Sequence, residues 1–80
     1  MTILTQTGRY YEMKIDEQNG SMLRLVCGGP KPLLVTDICN LCVGERAIIK
    51  GYLIDPATNS PMTKYGKFHY TTSPVAKIIP

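Results

Sequence analysis

The chain has no tryptophan, one phenylalanine and one histidine among its 80 residues. Its core must therefore come from aliphatic side chains and the five tyrosines, and any imidazole chemistry would have to use His69. Cysteine is scarce and odd in number, at three. That excludes a framework of paired disulfides and fits free thiols in a reducing compartment. No apolar run approaches the roughly 20 residues that span a bilayer. The opening Met1-Thr2-Ile3-Leu4-Thr5-Gln6-Thr7 has neither the basic start nor the apolar stretch of an export signal. These absences lead us to expect a soluble, cytoplasmic protein with no membrane partner. Acidic groups are also few, six against nine Lys and Arg, which leaves a net charge of +3. Such a charge favours anionic partners slightly but is thin for phosphate recognition. Polar, biased tracts are missing too, so the chain reads as one ordered domain over residues 1–80.

What the sequence does have is a run of β-branched, aromatic and aliphatic residues, Ala47-Ile48-Ile49-Lys50-Gly51-Tyr52-Leu53-Ile54-Asp55. It reads as a central strand, with Ala47, Ile49, Gly51 and Leu53 on one face and apolar groups on the other face as well. Upstream, Arg9–Ile15 alternates as a strand with Tyr11, Met13 and Ile15 inward. Asp16-Glu17-Gln18-Asn19-Gly20 supplies turn chemistry, and Ser21–Cys27 returns with Leu23, Leu25 and Cys27 toward the core. Gly28-Gly29-Pro30-Lys31-Pro32 is a loop. Leu33–Thr36 is a short strand or the approach to a helical turn over Ile38–Val43 capped by Thr36 or Asp37.

Downstream of the central strand, Asp55–Pro61 is a loop with a mobile tip, and Met62–Thr72 a strand with Met62, Phe68 and Tyr70 inward. Ser73-Pro74 interrupts, leaving Val75–Ile79 as a short last strand at a sheet edge. The spacing predicts a mainly β fold: a small antiparallel, strongly bent sheet or barrel of OB-like or SH3-like size, with five to six short strands and at most one helical turn.

Three constellations bear on chemistry. Cys39-Asn40-Leu41-Cys42 has the spacing of a metal knuckle, and Cys27 with His69 would complete a Cys₃His zinc set. A second Cys-x-x-Cys or His pair is absent, and buried free cysteine is common. No metal or cofactor is therefore expected, and a zinc-stabilised domain stays an alternative. A redox role lacks the βαβ setting that lowers a thiol's pKa. His69 has no nucleophile beside it in sequence, so a non-enzymatic protein is expected. Third, cations and rings interleave in Lys64-Tyr65-Gly66-Lys67-Phe68-His69-Tyr70, with echoes in Arg9-Tyr10-Tyr11 and Lys50-Gly51-Tyr52. Such a face suits protein hot spots or the stacking of single-stranded bases. The expected partner-binding residues are Tyr65, Lys67 and His69, extended by Arg9, Tyr10 and Lys14. A macromolecular partner is expected, with protein ahead of nucleic acid because +3 is a small charge.

Gly51-Tyr52, the proline-bearing turn after it, and His69-Tyr70-Thr71-Thr72-Ser73-Pro74-Val75-Ala76-Lys77-Ile78 together resemble the C-terminal half of small accessory proteins encoded by bacteriophages and prophages. The shared phrase is His-x-Thr-Ser-Pro-Val, into which this chain inserts an extra threonine. The resemblance covers about half of the chain and carries no catalytic residue. It implies a class in which inhibitors of host defence, including anti-CRISPR proteins, are frequent and act by occluding a partner's surface. Edge pairing through the last strand would be one way to add affinity.

Overall fold

The β-branched run around Ile48 and Ile49 forms the strand its composition demands, and the rest of the chain wraps into a barrel that includes it. A computed structural model describes residues 1–80. Six antiparallel strands follow one another around the wall: β1 (Thr2–Thr5), β2 (Tyr10–Asp16), β3 (Met22–Cys27), β4 (Leu33–Cys39), β5 (Arg46–Leu53) and β6 (Phe68–Ile79). The barrel closes where β6 pairs with β1. Every connection joins neighbours, so the order is a meander rather than the Greek key of an OB barrel. Helical structure is confined to two three-residue 3₁₀ turns, Glu17–Asn19 and Thr63–Tyr65. No helix is long and apolar enough to cross a membrane.

Each strand delivers at least one side chain to a single interior cluster: Ile3 from β1, Tyr11 and Met13 from β2, Leu25 from β3, Leu33 and Val35 from β4, Ala47 and Ile49 from β5, and Val75 from β6. Gly51 lies buried on β5, where an added Cβ would overlap the Leu34 carbonyl of β4. Its missing side chain lets the two backbones approach. Tyr70 shuts one end, its ring against Gly29 and its hydroxyl donating to the Lys31 carbonyl at 2.9 Å.

The last strand departs most from expectation. Ser73-Pro74 does not end it; β6 runs unbroken for 12 residues through that pair. Its first half pairs with β5, Ile48 opposite Thr71 and Gly51 opposite Phe68, and its second half with β1, Thr2 opposite Ile79. Pro74 has no N–H to contribute, and the ladder beside it is irregular between Arg46 and Ile48, where the Thr72 hydroxyl takes the Ala47 N–H at 3.0 Å instead. The Pro74 carbonyl accepts from Gln6 N–H at 2.9 Å. Closure leaves no edge at Val75–Ile79, so strand addition at that position is excluded.

Other differences have local causes. β1 was not foreseen, although Thr2–Thr5 alternates half-buried and buried positions. Ile15 faces inward by alternation yet is 62% exposed, because β1 reaches along β2 only to Met13, which exchanges backbone contacts with Met1. Cys27 is exposed rather than in the core. The β2–β3 register shifts between Glu12 and Met13, and the extra residue turns Cys27 to the outer face. No helical turn forms over Ile38–Val43; β4 continues to Cys39. Met62 lies outside the strand that follows, and Phe68 at the start of β6 is 39% exposed. The Asp55–Pro61 loop is pinned at its tip, since Asn59 bonds Arg24, Gln18 and, through its carbonyl, Asn19.

The Thr72 hydroxyl yields a direct expectation. Thr72→Val keeps the shape of a fully buried side chain but strands the Ala47 N–H, so urea unfolding should show a loss of about 1–3 kcal/mol. Thr72→Ser, which keeps the acceptor, should recover the part of that loss due to the hydrogen bond. A loss in Thr72→Ser with none in Thr72→Val would mean that the methyl group, not the hydroxyl, is what matters there.

Candidate partner-binding face

On the outer wall of β4, β5 and β6, alternation places Asp37, Lys50 and His69 in one row, each opposite the next across the ladders. Lys67 precedes β6 and reaches over β5 to β4, its Nζ 3.2 Å from Asp37 Oδ2. On the way it passes 5.9 Å from the centre of the Tyr52 ring, close enough for a cation–π contact. The pair is exposed at both ends, so its contribution to stability is small. What it does is hold Lys67 flat against the wall and place a carboxylate within a basic face.

Beside this row the Thr63–Tyr65 turn ends at Gly66, whose N–H bonds the Thr63 carbonyl at 3.0 Å and whose φ of 73° suits a residue without Cβ. The turn holds Tyr65 out to 59% exposure, with Lys64 Nζ 5.1 Å from its ring centre. Phe68 adds a second exposed ring. His69 is exposed and makes no side-chain hydrogen bond, so no partner orients it for proton transfer.

The structure thus brings Lys67 and His69 to one wall, with Tyr65 exposed on the turn that leads into β6. It does not bring Arg9, Tyr10 and Lys14 to them. Tyr10 and Lys14 belong to β2, with Arg9 just before it, and β2 has β1 and β3 as its neighbours. Tyr10 is exposed there, and Lys14 lies 3.8 Å from the Glu12 carboxylate. Asp37 was missed as a member of the face because it was expected to cap a helix. Phe68 was missed because alternation along a longer strand points it inward.

The zinc set does not assemble. Leu33, at the start of β4, faces Leu25 of β3, so Cys27 lies beyond that end of β4 while Cys39 ends the strand at the other. At roughly 3.3 Å per residue Leu33 and Cys39 are about 20 Å apart along β4, which puts Cys27 and Cys39 toward opposite ends of the strand. No group of three or more His, Cys, Asp or Glu side chains is placed to hold a metal ion, and all three cysteines are free.

No family model, curated protein or solved structure matches the chain.

The Lys67 hydrogen bond, that of the Thr36 hydroxyl and the attraction of Lys67 hold the Asp37 carboxyl below the ordinary aspartate range. A depressed folded-state pKa stabilises the fold above the ordinary range, and the contribution is lost as pH falls through the folded value. The melting-temperature gap between wild type and Asp37→Asn should therefore be largest at neutral pH and shrink below about pH 4. A gap independent of pH would show that the carboxylate charge is not the cause.

Proposed function

We propose that this protein is a non-enzymatic binding domain that engages a protein partner through the wall bearing Lys67 and His69 together with Tyr65 and Phe68. The observation that carries this reading is the pair of exposed rings, Tyr65 and Phe68, set among cations on a closed barrel. Rigid aromatic groups ringed by polar ones are the composition of binding hot spots. A stable complex needs roughly 800 Å² per partner, about a sixth of the 4858 Å² of surface. With no free strand edge, contacts come from side chains and the Thr63–Tyr65 turn.

Within this reading the partner is a component of a host defence system whose surface the domain occludes, as the likeness to phage accessory proteins implies. The residues behind that likeness form β6, where Thr72 and Val75 are buried. They support a shared scaffold, and the outer wall would supply the occlusion.

A single-stranded nucleic acid is the second reading, favoured by the same rings. Against it, Lys67 is occupied by Asp37, which places negative charge where a phosphate would run. Binding of a protein captured from host lysate should weaken about tenfold or more in Tyr65→Ala/His69→Ala, a loss of ~1.4 kcal/mol or more, with an unchanged melting temperature. Tyr10→Ala, on another part of the wall, should bind as wild type. Loss on Tyr10→Ala alone would move the interface to β2, and oligonucleotide binding that falls steeply with salt would establish the nucleic-acid reading.

A further inference from the structure

Beyond the partner face, the loop after β5 forms one side of a half-open cavity of about 320 Å³, within the range of small-molecule sites. Its walls are fixed. Ile54 bridges to Pro61, Met62 N–H bonds the Leu53 carbonyl at 2.8 Å and Asp55 N–H bonds the Ser60 carbonyl at 2.9 Å. Asn59 then ties the loop tip to the β2–β3 turn. Leu53, Ile54 and Met62 make one side apolar, and Pro32 and Pro56 line the rest.

Two cations enter this apolar space, Arg24 and Lys31. Arg24 is held in place, its Nη1 bonded to Asn59 Oδ1 and 3.6 Å from the buried Asp16 carboxylate. Asp16 is itself fixed by Gln18 N–H at 3.1 Å and Asn19 Nδ2 at 2.9 Å. The guanidinium has five N–H donors, and those on Nε and Nη2 have no acceptor within the protein. Lys31 has no carboxylate partner, and its backbone is anchored at both N–H and carbonyl by the Tyr70 hydroxyl. Asp55, next to the cavity in sequence, spends Oδ1 on Ala57 N–H.

We propose that this cavity binds a small monocarboxylic acid with an apolar body, its carboxylate on the free side of the Arg24 fork and beside Lys31, its body against Leu53, Ile54 and Met62. The planar fork matches a carboxylate in geometry. Asp16 pairs with Arg24, which leaves Lys31 as the one lining cation without an ion-pair partner and suits a monoanion better than a phosphate dianion. The apolar side formed by Leu53, Ile54 and Met62 rewards a ring or branched chain. This site is separate from the Lys67 and His69 wall and does not depend on the partner proposed there.

The test is an NMR titration of the whole chain with benzoate, and in parallel with benzamide and inorganic phosphate. Benzoate should give saturable shifts concentrated at Arg24, Leu53, Ile54 and Met62, while benzamide and phosphate should not. Lys31→Met, which removes no contact of the fold, should weaken benzoate about tenfold, the loss of ~1.4 kcal/mol. Arg24→Lys should weaken it similarly, and if that variant loosens the loop, Lys31→Met decides alone. Equal binding of benzamide, preferential binding of phosphate, or benzoate shifts that fail to saturate or lie elsewhere would each overturn the proposal.

Discussion

The structure depends on one strand pairing on two sides. β6 is hydrogen-bonded to β5 along its first half and to β1 along its second, and the stretch where the pairing changes over is held by contacts to two other parts of the chain, Gln6 and the Gly44–Ala47 segment. Thr72 receives Ala47, Pro74 receives Gln6, and Val75 both donates to Glu45 and accepts from Gly44. Without the second pairing β1 and β6 would each be a bare edge, and Ile3 and Val75 would lose the neighbours that bury them fully. A chain of this length can bury only about 60% of its unfolded surface, so loss of two core members from opposite sides of the seam is a large fraction of what holds it together.

Closure also decides what the exterior can do. Removing both edges confines recognition to side chains and loops. It divides the candidate binding residues as well, leaving Lys67 and His69 on the wall of β5 and β6, Tyr65 on the turn that leads into β6, and Tyr10 with Lys14 on β2. Leu34 and Ile54 are buried but lie outside the interior cluster, on the side where the loop after β5 is drawn in by Asn59. Two surfaces of different chemistry thus arise on one barrel. One is an open wall of rings and cations, the other a half-open cavity with an apolar side and a guanidinium.

Much of this was readable from the residues. The Ala47–Leu53 alternation, the turn at Asn19-Gly20 and the loop at Gly28–Pro32 need only local rules, and the fold class followed from strand spacing. Closure was not readable, because the buried hydroxyl that makes Ser73-Pro74 tolerable inside a strand acts on Ala47, 25 residues away. Ile15 and Cys27 were misplaced for a related reason: alternation holds only while the register is unbroken and a neighbouring strand is present, and β1 stops at Met1–Met13 while β3 carries an irregularity before Cys27. The Lys67 and His69 part of the candidate face was legible as the interleaving of cations and rings. Asp37 and the cavity were not, since both depend on contacts between segments far apart in sequence.

Amide hydrogen exchange at the seam tests the account most directly. The ladder between Thr2–Thr5 and Val75–Ile79 and the Gln6 N–H on the Pro74 carbonyl lie across it, and exchange protection reports the free energy of opening such bonds. The account predicts that these amides exchange only on global unfolding, at the rate of the β5 amides around Ile49. Rapid exchange at the β1–β6 amides while β4 and β5 stay protected would mean the barrel is open in solution, and the division of its outer surface described above would not hold.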